Sequence, residues 1–94
     1  MDIIIKQSDA KGYAAASDGE KRAGMMTYSI AGKDLIIIDH TEVDSAYTGK
    51  GVGKKMLYKI VELAREKNIK IMPLCPFAAS MFRKMDDIKD VLKS

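Results

Sequence analysis

The stretch from Asp39 to Gly53 joins a buried strand to a helix through a glycine-rich turn, and it constrains the fold of this 94-residue chain more than any other segment. The apolar run Leu35 to Ile38 precedes it and predicts a buried strand, and an amphipathic pattern follows it directly. Three glycines alternate in the turn, namely Gly49, Gly51 and Gly53. Such a turn presents free backbone N–H groups at the positive end of a helix dipole, where a phosphate group can bind.

The spacing of these glycines matches neither of the two common nucleotide-binding motifs. A P-loop needs four residues between its first glycine and the Gly-Lys pair, whereas three separate Gly49 from Gly53, and Lys55 stands where a hydroxyl belongs. A dinucleotide fingerprint needs two residues between its second and third glycines, and here there is one. A turn whose glycines serve only tight packing is the alternative interpretation.

Positive charge is concentrated in the second half of the chain and begins at the glycine turn. Residues 1–46 contain five Lys or Arg and eight Asp or Glu, whereas residues 47–94 contain eleven and five. Lys50, Lys54, Lys55 and Lys59 lie in or just after the turn, where they would suit a polyanionic ligand. A solvated helix face is the alternative. Nucleic acid is not the favoured partner, because this half has no arginine-rich stripe and no interleaved aromatic residues that could stack on bases.

Length and composition predict a single domain over residues 1–94, without a membrane span or a secretion signal. The apolar share of 47% and the charged share of 31% are ordinary for a globular protein, and the apolar runs are too short to cross a membrane. One cysteine excludes an internal disulfide framework, and one cysteine with one histidine does not favour a metal site. We therefore expect a cytoplasmic protein without a bound metal ion.

The order of predicted elements is β-β-β-β-α-β-α, an α+β fold with a mixed sheet of about five strands. Strands are predicted at Asp2–Gln7, Tyr13–Ser17, Arg22–Ile30, Leu35–Val43 and Ile69–Leu74, and helices at Val52–Lys67 and Pro76–Met85, with a last helical turn or two at Ile88–Leu92. Turn signals join the first four strands into an antiparallel meander. We expect the fourth strand to be buried on both faces and to pair in parallel with the fifth.

Cys75 is a candidate nucleophile because it lies between Pro73 and Pro76, where a strand ends and a helix begins. A helix dipole favours the thiolate at that position. His40 and Glu42 lie late in the central strand on one strand face, at the sheet end where ligands gather, and both are candidate bases. We expect His40 to lie beside Cys75 and to take its proton. The alternatives are a small buried hydrophobe for the cysteine and a histidine hydrogen-bonded within the sheet.

The run HTEVDSAYTGKGVGKKML, followed by IKIMPLCPFAASMFRK, resembles the small single-domain branch of the GNAT N-acetyltransferase superfamily, and the resemblance covers about residues 13–92. The turn is similar to the acetyl-CoA pyrophosphate loop of that superfamily, Arg/Gln-x-x-Gly-x-Gly/Ala. Gly51 and Gly53 match its glycines, whereas Thr48 replaces the Arg or Gln. The His40-Thr41 pair and the Leu-Cys-Pro-Phe run at 74–77 match the small branch in particular.

The resemblance implies a minimal acyl-CoA-binding fold with acetyl-CoA (coenzyme A) as the cofactor. It also implies an amine as the acetyl acceptor, which is a protein, a peptide or a small amine. It also implies that main-chain groups of the central strand bind the pantetheine arm and that amides of the turn bind the pyrophosphate. The implied cofactor-binding residues are Thr41, Val43, Thr48, Gly49, Lys50, Gly51, Val52, Gly53, Lys54 and Lys55.

Two catalytic routes and three functions remain open at this point. Cys75, His40 and Glu42 are the candidate catalytic residues, acting through an S-acetyl-cysteine or by direct transfer to the amine. Tight turns replace the helices that help to form the acceptor site in larger members of the superfamily, so the acceptor site is expected to be shallow. A monomer or weak dimer is expected. A non-catalytic acyl-CoA-binding module is the alternative function, and a small basic nucleic-acid-binding domain is a less favoured one.

Overall fold

The computed structural model describes residues 1–93, and its elements follow the predicted order. The strands are β1 (Asp2–Gln7), β2 (Lys11–Asp18), β3 (Lys21–Ile30), β4 (Leu35–Val43) and β5 (Lys70–Pro73). The helices are α1 (Val52–Lys67) and α2 (Pro76–Lys84), and the 3-10 segments are Ser45–Tyr47 and Asp86–Val91. The predicted α+β fold with a mixed five-stranded sheet is confirmed.

The strands lie side by side in chain order, from β1 at one edge to β5 at the other. The first three pairings are antiparallel, and β4 and β5 pair in parallel because α1 carries the chain back between them. The pairing of β3 with β4 contains one irregularity: Thr27 is opposite His40, but Tyr28 is opposite Ile38. Asp39 is therefore an extra residue, a β-bulge that shifts the alternation of β4 from that point on.

The buried side chains form one core between the sheet and the two helices. Its largest fully buried members are Tyr28, Phe82, Met26, Ile38, Met56, Leu57, Ile60 and Ile71, which come from the sheet and from both helices. The expectation that β4 is buried on both faces is wrong. Ile36 and Ile38 are buried, whereas Leu35 and Ile37 are only partly covered, because the helices of residues 1–93 pack on one face and leave the other open.

Helix α1 has the same bounds as the sequence predicts, because both of its ends are marked by local signals. Gly51 caps its start with a φ of 76°, and Asn68 ends it with a φ of 56°, both in the left-handed region. The amide of Asn68 donates to the carbonyls of Ala64 and Arg65, which satisfies two groups that would otherwise lack helical partners. The direction of α1, and so the position of its first turn, is fixed by the apolar side chains that face the core, which are Met56, Leu57, Ile60, Val61 and Ala64.

The segment after α2 is tied to α1 by Arg65. The guanidinium donates to both carboxylate oxygens of Asp90, at 3.0 and 2.8 Å, and to the carbonyl of Asp87 at 2.6 Å. The hydrogen bond from Arg65 lowers the pKa of the Asp90 carboxyl. Beyond this tie, Leu92 forms a parallel bridge to Ile71 of β5, so the C-terminal segment covers part of that sheet edge.

We expect Asp90→Asn to lower the melting temperature at neutral pH, because it removes the charge that both guanidinium bonds use. The contribution of a carboxyl with a lowered pKa is present above its unfolded pKa of about 4 and is lost as the pH falls through the folded value. The difference in melting temperature between parent and variant should therefore shrink in acid.

Asp86→Asn is the matched control. Asp86 makes a single ion pair with Lys89, at 2.8 Å, and its side chain is 91% exposed. Thermal unfolding followed by circular dichroism measures both variants. An effect of Asp86→Asn as large as that of Asp90→Asn would contradict a special role for the Arg65 contacts.

Candidate functional site

Strands β4 and β5 part after Ile38, and the candidate site is built around the gap between them. Their pairing runs from Leu35 opposite Lys70 to Ile38 opposite Pro73. The carbonyl of Ile38 accepts the last two bonds, from the amides of Leu74 and Cys75, both at 3.1 Å. Strand β4 then continues to Val43 with β3 alone as its partner. The edge of β4 beyond Ile38 therefore lacks a neighbouring strand.

The bulge at Asp39 decides which main-chain groups of β4 face the gap. The amide of Asp44 donates to the carbonyl of Ala23 on the β3 side at 2.8 Å. Because successive residues of a strand direct their N–H and C=O groups to opposite edges, those of Thr41 and Val43 point into the gap. Without the bulge, the alternation would continue regularly from Ile38, and the main-chain groups of residues 40 and 42 would face the gap instead. The groups that the sequence assigns to a pantetheine arm are thus exposed along this edge, and their role remains a prediction.

Cys75 lies at the foot of the gap as the N-cap of α2. Its Sγ atom accepts a hydrogen bond from the amide of Ala78 at 3.3 Å and contacts the hydroxyl of Thr41 at 3.1 Å. The residue is only 4% exposed. The sequence placed it at the join of strand and helix, and it is found there, with a thiol that is already hydrogen-bonded to the helix start.

His40 and Glu42 lie on the opposite, open face of the sheet. Nε2 of His40 is 3.1 Å from Oε1 of Glu42, and the two side chains are 64% and 75% exposed. The two residues share a strand face as expected, but the expected contact between His40 and Cys75 is wrong. Thr41 contacts Cys75 instead, because the extra residue Asp39 turns Thr41 toward the helices and His40 away from them.

The loop between β4 and α1 is held by side chains at its start and by glycines at its end. Asp44 accepts the amide of Ala46 at 2.9 Å, and the hydroxyl of Tyr47 donates to Asp18 at 3.0 Å. That hydrogen bond raises the pKa of Tyr47. Gly49 has a φ of 80°, in the same left-handed region as Gly51, and an ideal Cβ at either glycine would meet nothing within 4 Å. These two glycines therefore serve backbone conformation.

The first turn of α1 offers free backbone donors. The first bond of the helix runs from the amide of Lys55 to the carbonyl of Gly51 at 3.0 Å, so the amides of Val52, Gly53 and Lys54 have no partner within the helix. Gly51 has no side chain that could cap them. The lysines at 50, 54 and 55 are exposed beside this turn. The helix start is therefore open to an anion.

A cavity of about 360 Å³ lies at this helix start, next to the gap. It is lined by Val43, Tyr47, Thr48, Gly49, Gly51, Val52, Gly53, Lys54, Phe77 and Met81. Thus seven of the ten residues that the sequence assigns to the cofactor line one cavity, and Thr41, Lys50 and Lys55 lie outside its lining. The sequence missed the aromatic and methionine side chains from α2, whose spacing of four residues was the available signal.

Gly53 has a packing role that differs from that of the other two glycines. A Cβ atom there would lie 2.5 Å from Cζ of Phe77. The missing side chain lets the ring lie against the helix start, where it is 36% exposed and forms a wall of the cavity. For this glycine the alternative of tight packing is correct.

Three larger hollows lie elsewhere. One of about 640 Å³ surrounds the β1–β2 turn and includes Lys6, Lys11 and Tyr13, and one of about 560 Å³ lies along residues 22–25 and 41–44. The third, of about 630 Å³, lies beside α2 and includes Arg83 and Lys89. None of the three includes the first turn of a helix, whereas the smaller cavity beside α1 does. Within residues 1–93, no group of three metal-binding side chains comes together, and no helix is long and apolar enough to cross a membrane.

Comparison with known proteins identifies the fold. The family model of GCN5-related N-acetyltransferases matches residues 12–91, which is most of the chain. The chain belongs to this family. The gap between β4 and β5 and the open start of α1 are therefore parts of a GCN5-related acetyltransferase domain, as the resemblance in the sequence implied.

Individual relatives agree with this assignment. A GCN5-like protein from Staphylococcus aureus, solved by NMR, is 40% identical with a TM-score of 0.72 and covers 97% of this chain and 88% of its own. The uncharacterized protein YdhI of Bacillus subtilis is 34% identical over 62 residues, which are 66% of this chain and 37% of YdhI. A Bacillus anthracis protein solved with acetyl coenzyme A is 22% identical, with a TM-score of 0.64, and covers 82% of this chain and 46% of its own.

Burial of Cys75 predicts slow alkylation of the native protein. We expect iodoacetamide to label the folded chain at least about tenfold more slowly than the urea-unfolded chain, because the reagent must reach a covered sulfur. Thr41→Ala should speed the labelling by opening the gap beside the thiol. Thr41→Ser, which keeps the hydroxyl, is the matched control and should change the rate less. Equal labelling of native and unfolded protein, followed by mass spectrometry, would contradict the position of the thiol.

Proposed function

We propose that this chain is an acetyl-CoA-dependent N-acetyltransferase in which Cys75 receives the acetyl group before an amine does. One observation supports it most: a helix start with free amides, a strand edge without a neighbour and a thiol all lie around the gap between β4 and β5. Family membership supports acetyl transfer in general. The acceptor and the cysteine intermediate are the proposed parts.

The cofactor is held by main-chain groups at two places. The free amides of the first turn of α1 bind the pyrophosphate, and Lys50, Lys54 and Lys55 add positive charge around it. The N–H and C=O groups of Thr41 and Val43 bind the pantetheine arm, because an unpaired strand edge must find partners. Thr48 in place of Arg or Gln leaves these main-chain donors unchanged. The B. anthracis neighbour with acetyl coenzyme A bound is consistent with this cofactor.

In this proposal Cys75 carries out the first half of the transfer. Its sulfur attacks the thioester carbonyl, a carbon–sulfur bond to Cys75 forms, the bond to coenzyme A breaks, and the thiol proton leaves with the coenzyme A thiol. The Ala78 amide and the start of α2 favour the thiolate, and a strand N–H stabilises the oxyanion. Exchanging one thioester for another is close to neutral in free energy, since a thiol replaces a thiol.

In this proposal His40 and Glu42 act in the second half of the transfer. They lie on the open face of the sheet, and Glu42 also lines the hollow of about 560 Å³ at the start of β3 and the end of β4. An amine that reaches the gap from this side attacks the acetyl carbon on Cys75, and its proton passes through a water molecule to the pair as the carbon–sulfur bond breaks. Because His40 and Glu42 lie on the other side of β4 from Cys75, they act only in the transfer to the amine and not in the acetylation of Cys75. The shallow hollow suits a small amine or the side chain of a peptide.

Direct transfer to the amine and a non-catalytic acyl-CoA-binding module are the competing possibilities. The 4% exposure of Cys75 is the observation that favours them, because a buried thiol can serve packing alone. We also propose a cytoplasmic location, where acetyl-CoA is available, which cell fractionation tests.

Gly51→Glu should weaken acetyl-CoA binding by at least about tenfold, because a carboxylate at the helix start repels the pyrophosphate and adds bulk. Any side chain at this position is also strained, at about 1–2 kcal/mol, because its φ lies in the left-handed region. Gly51→Ala carries the same strain without charge and is the matched control. Calorimetry on both variants decides the outcome, and equal affinities for the two would place the pyrophosphate elsewhere.

Incubation with acetyl-CoA alone should add one acetyl group to Cys75, detected by intact mass and removed by hydroxylamine. Cys75→Ala should abolish this acetylation of the protein and most of the acetyl transfer to an amine such as a lysine peptide. Glu42→Gln and His40→Ala should leave formation of the acetyl-cysteine intact and slow its transfer to the amine by about 10²-fold or more.

The outcomes separate the routes. Full transferase activity of Cys75→Ala would establish direct transfer, and acetyl-CoA binding without any turnover over a panel of amines would establish the non-catalytic module. Slower formation of the acetyl-cysteine in His40→Ala would contradict the division of roles between the two sides of β4.

A further inference from the structure

The outer edge of β1 is an unused pairing surface. Strand β1 lies at one edge of the sheet, and within residues 1–93 only β2 pairs with it. The other edge differs, because the bridge from Leu92 to Ile71 and the bond from the amide of Lys93 to the carbonyl of Ile71 cover part of β5. Free strand edges tend to pair with other chains, and natural proteins usually block them.

The hydrogen-bond phase of β1 shows which residues face outward. The amide of Ser8 donates to the carbonyl of Lys11 at 2.8 Å and closes the turn to β2. Counting back along the antiparallel register, in which every second residue bonds to the neighbouring strand, Ile4 bonds toward β2. The N–H and C=O groups of Ile3 and Ile5 therefore point away from the sheet and have no strand partner.

The sequence of β1 is complementary to itself when a second copy runs antiparallel. With Ile4 opposite Ile4 of the copy, Ile3 lies opposite the copy's Ile5, so each such pair exchanges two main-chain bonds with its outward groups. In the same register Asp2 lies opposite the copy's Lys6, and Lys6 opposite its Asp2. A shift by two residues in either direction would place a charge opposite isoleucine. Charge therefore selects this one register.

Apolar contact supports the same arrangement. Ile4 is 47% exposed on the open sheet face, next to Ala15 and Met25 in the same cross-strand row. In the self-paired register the two Ile4 side chains form a non-hydrogen-bonded pair, the closer kind of cross-strand contact. The half-buried side chains of Ile3 and Ile5 meet their copies on the helix face and extend the core.

We propose that this protein forms a two-fold symmetric dimer by antiparallel pairing of β1 with β1 of a second copy, which joins the two sheets into one. The contact is one short strand wide and lies below the area of stable interfaces, so the dimer is weak, with a dissociation constant of about 10⁻⁵ to 10⁻³ M. The gap between β4 and β5 lies at the far side of each sheet, so each copy keeps its own site.

Sedimentation equilibrium with paired charge reversals tests the register directly. Asp2→Lys places two lysines opposite each other, and Lys6→Asp places two aspartates opposite each other, so each variant alone should be monomeric. An equal mixture of the two variants restores opposite charges at both ends of the strand pair and should dimerise. The double variant, Asp2→Lys with Lys6→Asp, should also recover the parent's self-association.

The parent should show concentration-dependent association up to about 1 mM that salt weakens, with growing hydrogen-exchange protection of the amides of Ile3 and Ile5. Unchanged acetyl-CoA affinity and circular dichroism would show that the variants fold, and neither depends on the dimer. A parent that is monomeric up to 1 mM would overturn the proposal. So would a dimer that survives both single reversals, or a mixture that stays monomeric.

Discussion

The end of the pairing between β4 and β5 at Ile38 is the constraint on which the site depends. A strand edge that loses its neighbour leaves main-chain donors and acceptors that need other partners. The amides of Leu74 and Cys75 both donate to the carbonyl of Ile38, and the chain then turns at once into the cap of α2, so no strand follows along β4. The bulge at Asp39 then directs Thr41 and Val43 toward the opening. A ligand with amide groups of its own can take the place of the missing strand.

Both helices start beside this opening, and their caps differ in chemistry. Helix α1 starts at Gly51, which has no side chain, so its first amides stay free for an anion. Helix α2 is capped by Cys75, whose sulfur accepts a hydrogen bond from the amide of Ala78, so one of the first amides of α2 already has a partner. One helix start is thus suited to bind charge and the other to hold a thiol. The free edge of β4 lies between the two helix starts.

Local sequence signals were sufficient for the elements but not for the faces of the sheet. The bounds of the helix Val52–Lys67 agree with the prediction to the residue, because the apolar spacing and the Asn68 end signal are both local. The predicted contact of His40 with Cys75 is absent from the structure, because the extra residue Asp39 reverses the alternation of side chains along β4. Nothing in the local sequence marks this bulge. An apolar run such as Leu35 to Ile38 likewise predicts burial without showing whether a second layer exists to cover its other face.

An NMR titration of the amide-labelled protein with acetyl-CoA is the most direct test of the account. The amides of Thr41 and Val43 and those of Gly51 to Lys54 should show the largest shifts, since these groups are free in the fold and face the gap and the helix start. Shifts centred instead on the hollow at the β1–β2 turn, around Lys11 and Tyr13, would contradict the assignment of the gap as the cofactor site.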